Sequence, residues 1–441
     1  MNKEKKPYII IYPNKSVLND SDGNIYEYNE GKLSDAAKDR LLKIKQSLEK
    51  GYLEDIIKEC HLPNANIVDL KPEHKKHIDN LVNSITSEVG RAIVGLTVLQ
   101  LTIKSIDSSQ SIRLHKGSHG NGAFSWQEGI PMRVLDKNFI TPILRKYDLL
   151  RLNADGFMMT RSLAENYPYS KLYKAAIRGA REEWLNITDL AESNSLDAET
   201  ALKHVITQLI NQSEEFQKKT DYLIKLKNKH IKINNTFDET YDTIIEYINN
   251  STYSARIFEI TIHAFFQAID TKKCFGGYLV PLSQMRSANK KHGNIGDVEL
   301  SFTEEGNEII ESWDAKFGKA YLRDELEELN DKLKYHPMAE LAGFITDCEP
   351  NLKKEIIDRI QEIETLHSVK IEILSIRDWV ISQIEKYNLD SNEISNLWIE
   401  CIVESICLKK RDVAPIDEPT SVWVAELTHI LEKSTGTQHR I

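Results

Sequence analysis

Cysteine is scarce and carries no pairing pattern. The five cysteines, Cys60, Cys274, Cys348, Cys401 and Cys407, are odd in number and include no Cys-x-x-Cys. That argues against a disulfide scaffold and against a zinc ribbon. Long apolar runs are also missing: no stretch of about 18 apolar residues could span a bilayer. The charged start, Met1 to Pro7, is followed by an apolar run only from Tyr8 to Tyr12, too short for the core of a signal peptide. These absences lead to the expectation of a cytoplasmic protein with reduced thiols and no membrane partner. A phosphate-binding loop is lacking as well. The glycine-rich stretch from His115 to Gly122 has neither the spacing nor the closing Lys-Ser/Thr of that motif. Finally, an excess of positive charge is missing overall, with a formal net charge of -10.

What is present begins with enough apolar material, 41% of 441 residues, to build ordinary cores in two or three domains. The acidic average conceals a basic segment. Lys104 to Arg181 holds 13 Lys or Arg against 6 Asp or Glu, a local +7 that leaves -17 for the remainder. Phosphate attracts locally clustered cations, so this segment is a candidate nucleic-acid footprint; a basic helical surface without a ligand is the alternative.

Along the chain, five regions are expected: a peripheral region 1–83, a DNA-recognition region 84–185, a helical connector 186–250, a catalytic domain 251–412, and a C-terminal helix and tail 413–441. Tyr8 to Tyr12 reads as a strand, Lys32 to Cys60 as charged helices, and Ser84 to Ile106 as a strongly apolar helix. His115 and His119 have helical spacing for a metal, but the glycines between them favour a loop. Asn138 to Leu150 reads as a helix, provided Pro142 lies in its first turn. Arg151 to Arg161 reads as a hairpin around Asp155-Gly156. A helix followed by a basic hairpin resembles a winged helix-turn-helix over Ser84 to Arg161. That resemblance implies Arg145, Lys146, Arg151 and Arg161 at phosphates or base edges; a helix and hairpin packed on a core is the bland alternative. The aromatics of Tyr167 to Trp184 suit either DNA or a core.

After Ser251 the pattern changes. Ser254 to Ile269 reads as a helix with Glu259 inside it. Strands follow at Tyr278–Leu282, Ile295–Phe302 and Glu308–Phe317, then a charged helix from Tyr321 to Lys334 and a strand from Ala339 to Thr346. By strand period Asp314 and Lys316 share one face, with Ile309, Glu311, Trp313 and Ala315 on the other, and Asp297 and Glu299 share a face of the preceding strand. Adjacent strands lie about 4.8 Å apart, so Asp297 and Asp314 are in reach of one ion. Other acid-x-Lys triplets occur at Glu4, Asp69, Glu73 and Asp270, but none sits at the end of a plausible buried strand behind a second acidic strand.

This order and these residues resemble the PD-(D/E)XK nuclease superfamily over about 100 residues. Gly296 stands where the family name has proline. The resemblance implies a mixed α/β fold: a mainly helical N-terminal region with a winged-helix-like module, then a C-terminal αβββαβ nuclease core. It implies Asp297, Asp314, Lys316 and Glu259 as catalytic residues, and Mg²⁺ held by Asp297, Asp314 and the Ala315 carbonyl. Arg286, Lys290, Lys291 and Lys319 are then expected at the DNA near the cut, with Glu325 a reserve ligand whose more ordinary use is pairing with Arg323. The arrangement is most similar to a type II restriction endonuclease acting on double-stranded DNA as a homodimer, at least on DNA; no ATPase motif points to an ATP-driven subunit. Kept open are a repair, defence or transposition nuclease of the same fold, and a non-catalytic winged-helix regulator. Asn351–Leu366, Val369–Leu374, Arg377–Tyr387 and Val422–Lys433 read as flanking helix, strand, helix and docked helix.

Overall fold

The computed structural model describes all residues except 1–6, 21–22, 63–69, 86–89, 116–125, 151–167, 174–176, 178, 234–235, 283–293, 307, 408–419 and 438–441. The chain is mixed α and β and divides into two compact units, Met1–Gln217 and Lys218–Ile441. The division falls inside the stretch expected as a connector.

In the first unit, β1 (Tyr8–Ile11), β2 (Lys15–Asn19) and β3 (Ile25–Asn29) form an antiparallel sheet in sequence order. Only β1 was expected. The signal for the others was the turn around Gly23, whose φ of +86° suits glycine. Leu18 and Tyr28 face inward onto Leu114 and Trp126. Helices α1 (Asp35–Glu49) and α2 (Tyr52–Cys60) follow, α1 beginning where Ser34 Oγ accepts from the Ala37 N–H at 3.0 Å. The helix expected from Ser84 begins later. It is α4 (Arg91–Ile106), preceded by α3 (Pro72–Asn83). Gly90 sets that start: its φ is +93°, and a Cβ there would lie 2.9 Å from the Ser84 carbonyl oxygen. From Ile93 to Lys104 every residue of α4 is buried, so this helix is the centre of the unit's core.

The helix expected over Asn138–Leu150 starts earlier and ends sooner: α5 (Met132–Leu135) leads through a π-helical turn (Asp136–Ile140) into α6 (Thr141–Lys146), with Pro142 in the first turn of α6. The hairpin at Arg151–Arg161 lies outside the described residues. Tyr169, Tyr173 and Trp184 resolve toward the core: all are buried, with rings edge to face at centroid distances of 5.1–5.9 Å. Trp184 belongs to α7 (Arg181–Glu192), and α8 (Ala198–Ile233) follows.

The second unit opens with α9 (Phe237–Asn250) and α10 (Ser254–Thr271). A five-stranded sheet then runs in sequence order: β4 (Tyr278–Leu279), β5 (Val298–Ser301), β6 (Ile309–Lys316), β7 (Leu341–Thr346) and β8 (Lys370–Ser375). Pairings β4–β5 and β5–β6 are antiparallel, β6–β7 and β7–β8 parallel. The two parallel crossovers pass through α11 (Arg323–Leu333) and α12 (Lys354–His367), as parallel strands require. Then come α13 (Ile376–Lys386), α14 (Ser391–Cys407), which was not anticipated, and α15 (Thr420–Ser434).

One face of the sheet packs Ala342, Phe344, Ile371 and Ile373 against Leu326 and Leu329 of α11 and Ile356 and Ile363 of α12. On the other face Trp313 meets Trp379 of α13, whose ring also meets Phe265 and Phe266 of α10. Gly343 makes room for Trp313, since a Cβ there would come within 2.5 Å of the indole. The expected strict alternation along β6 fails at one end. A bulge shifts the register so that Ile309 pairs with Ser301, and Ile309 joins the Ala342–Phe344 cluster instead of sharing a face with Trp313.

Candidate active site

The register of β5 and β6 pairs Val298 with Trp313 and Glu299 with Ser312. One step further puts Asp297 opposite Asp314, and the Asp297 N–H donates to the Trp313 carbonyl at 3.0 Å. The Asp297 carboxylate accepts from the Ala315 N–H at 3.0 Å, which ties it to the strand carrying the second acid. Lys316, two residues beyond Asp314 and therefore on its side of β6, places Nζ 2.8 Å from Asp314 Oδ2 and 6.0 Å from the centre of the Phe344 ring. Glu259 arrives from α10, its carboxylate held by the Arg256 guanidinium at 2.6 Å. Two of the other acid-x-Lys triplets differ from this one in lying on helices. Glu73 and Asp270 lie on helices α3 and α10, and Glu4 and Asp69 fall outside the described residues.

The electrostatics follow from crowding. Burial raises the Asp297 carboxyl well above the usual range, and the charges of Asp314 and Glu259 push it the same way. Burial also raises Glu259, with Arg256 opposing and Asp314 adding. Burial alone would lower the Lys316 ammonium, but the charge and hydrogen bond of Asp314 outweigh it and the net shift is upward. Lys316 is therefore a firm cation at neutral pH.

Glu299, next on the Asp297 side of β5, was not singled out. It is 2% exposed and accepts from the Asn294 amide at 2.9 Å and the N–H groups of Ile295 and Gly296 at 2.6 and 3.2 Å. Burial raises its carboxyl, partly offset by those two N–H groups. Its period-2 relation to Asp297 was the available signal; the donors come from a loop whose path no periodicity predicts. Arg256 was likewise missed, although a cation three residues before a helical acid is a recognisable pair.

Other expected residues fall differently. Glu325 does not pair with Arg323. Residues two apart on a helix point in different directions, so Glu325 takes Lys319 and Arg323 takes Glu327, four residues on, at 3.0 Å. Lys319 is thus engaged by a carboxylate. Lys146 of α6 pairs with Glu54 at 2.9 Å, and the hydrogen bonds from Lys146 and from Tyr147 lower Glu54 to about 2. Arg145 also lies on α6. Arg151, Arg161, Arg286, Lys290 and Lys291, like His119, lie outside the described residues. His115 is buried, and desolvation with the nearby Arg133 lowers it to about 4.

The acids offer oxygen donors only, which suits a hard divalent cation. Among the described residues no group of three or more His, Cys, Asp or Glu side chains is placed to hold a metal ion. The donor set that fits is therefore a pair of carboxylates, Asp297 and Asp314, on neighbouring strands. Two carboxylates with waters are a normal Mg²⁺ complement. A scan against protein-family models gives no match, and no curated protein matches the chain.

Proposed function

We propose that the second unit is a Mg²⁺-dependent DNA endonuclease of PD-(D/E)XK type, and that the whole chain acts as a restriction-like enzyme on duplex DNA. The observation that carries this reading is the juxtaposition of Asp297 and Asp314 on neighbouring strands, with Lys316 on the same side of β6 and Glu259 from the preceding helix. The element order agrees: helix, three strands, helix, strand.

In this reading Asp297, Asp314 and the Ala315 carbonyl hold Mg²⁺, which supplies an activated water and neutralises charge on the phosphate. Lys316, kept charged by its acidic neighbours, orients the attacking water and stabilises developing negative charge; a raised ammonium is poorly suited to remove the proton itself. Arg256 keeps Glu259 fixed at the edge of the cluster. Reading of sequence by the basic region 104–181, and action as a homodimer on DNA, belong to the same proposal.

The decisive experiment is incubation with plasmid or phage DNA and Mg²⁺, followed by mapping of the ends. Discrete fragments support a sequence-specific endonuclease, and a ladder or smear supports a repair, defence or transposition nuclease of the same fold. The second reading, a DNA-binding regulator without catalysis, draws on the internal pairing of Lys316 with Asp314 and of Arg256 with Glu259. It requires binding with no cutting in Mg²⁺.

A further inference from the structure

We propose that Glu299 is a positioning residue for Asp297: its carboxylate sets the path of Asn294, Ile295 and Gly296, and so fixes where the Asp297 carboxylate stands against Asp314. The inference rests on the reading of Asp297 and Asp314 as cation ligands.

Three donors converge on Glu299, one side-chain amide and two consecutive backbone N–H groups, at 2.6–3.2 Å. The same loop is gripped from α11, where Lys332 Nζ donates to the Ile295 carbonyl at 3.1 Å. Gly296 lies hard against β6: a Cβ there would sit 2.7 Å from the Trp313 carbonyl oxygen and 2.8 Å from Ser312 Oγ. Asp297 follows directly, its N–H on Trp313 and its carboxylate on the Ala315 N–H. The chain into the acid is thus held from three sides, by Glu299, by Lys332 and by β6. Burying a carboxylate at 2% exposure is costly unless its hydrogen bonds are met. Here they are met entirely by the segment that delivers Asp297. A ligand displaced by about 1 Å can lose on the order of a hundredfold in rate.

Glu311 supplies the contrast. It is also buried, on β6, but on the opposite face, where it accepts from Trp313 Nε1 and Lys386 Nζ, both at 2.7 Å. It holds packing, not the loop.

The test is calorimetric titration of the full chain with Ca²⁺, with thermal melts and plasmid cleavage in Mg²⁺ alongside. Glu299→Ala, where folded, should bind Ca²⁺ about 10–100-fold more weakly and cut more slowly at saturating Mg²⁺. Glu299→Gln should fall between it and the parent, since one amide oxygen can still accept from Ile295 and Gly296. Glu311→Gln should lower the melting temperature and bind Ca²⁺ like the parent. If Glu299→Ala does not fold, Glu299→Gln and Lys332→Met decide, each expected to weaken Ca²⁺ binding several-fold. Parent-like Ca²⁺ affinity in the folded Glu299 variants overturns the inference while leaving the nuclease reading in place. A parent that neither binds Ca²⁺ nor cuts overturns both.

Discussion

The two faces of the five-stranded sheet solve opposite problems. On one, Trp313 packs edge to face into an aromatic layer with Trp379, Phe265 and Phe266, and a buried acid there, Glu311, is answered by an indole N–H and an ammonium. On the other, Asp297, Glu299, Asp314 and Lys316 share the face with Ala342 and Phe344 of β7. Glu299 is fully answered, but Asp297 is not: burial and two neighbouring acids hold its carboxyl far above the ordinary range. Both faces are packed, but one pairs its buried acid while the other crowds carboxyls against one another, a common condition of a site that binds a ligand.

The largest effect should come from Asp314→Ala. Loss of a carboxylate that grips the cation is expected to cut the cleavage rate by on the order of a thousandfold or more, about 4 kcal/mol of barrier, with the fold retained. Lys316→Ala should behave alike yet still bind DNA in Ca²⁺. Asp270→Ala, in the helical triplet, should cut like the parent. Plasmid cleavage with circular dichroism checks all three. A fully active Asp314→Ala would remove the distinction between the faces.

Next in size is the aromatic face. Trp379→Ala opens a cavity beneath three aromatic rings and should cost about 3–5 kcal/mol in denaturant unfolding. Cleavage per folded molecule should stay near the parent's. A variant that keeps its stability would show that the aromatic layer is not the sheet's anchor.

Much of this contrast was legible in the sequence. Alternation along Ile309–Lys316 put Asp314 and Lys316 together and away from Trp313, and the same period put Asp297 beside Glu299. What period could not supply was anything set by a loop or by a distant partner. The three donors to Glu299, the bulge that moves Ile309, and the bare Gly343 that admits Trp313 all depend on chain brought from elsewhere. In the first unit, β2 and β3 are short and their core partners, Leu114 and Trp126, lie about 100 residues downstream, so local pattern gave little sign of a sheet. Helix α14 did carry a signal in Ile394, Trp398, Ile402 and Ile406, a regular four-residue spacing that went unread.

A pH experiment sharpens the comparison further. The Asp297 carboxyl is raised in the fold, so the folded protein holds a proton that the unfolded chain releases near pH 4. The associated stability is complete below that pH and drains away as pH climbs through the raised value. Asp297→Asn has no such loss. In buffer free of divalent cations its melting temperature should rise relative to the parent between pH 4 and pH 8. A constant gap across that range would mean that Asp297 titrates normally.

The smallest effect is expected at the rim. Lys319→Ala breaks an ion pair whose lysine is largely exposed, so stability should change by about 0–1 kcal/mol. Only DNA affinity, read as a gentler salt dependence, should respond, by about one unit of slope if Lys319 meets a phosphate.

Helix α10 carries a consequence for how the protein is made. Its buried side includes Phe265, which packs on Trp398 of α14, and Trp398 Nε1 donates to the Thr261 carbonyl across 137 positions of sequence. During synthesis the ribosome therefore releases α10 and the acids well before the residues of α14 that cover this side of it exist. Until then a long apolar surface stands open, inviting chaperones or aggregation, and the closing step is a late, long-range one. A message truncated ahead of Ser391 would thus yield a chain with all four proposed catalytic side chains and no means of finishing the core that holds them.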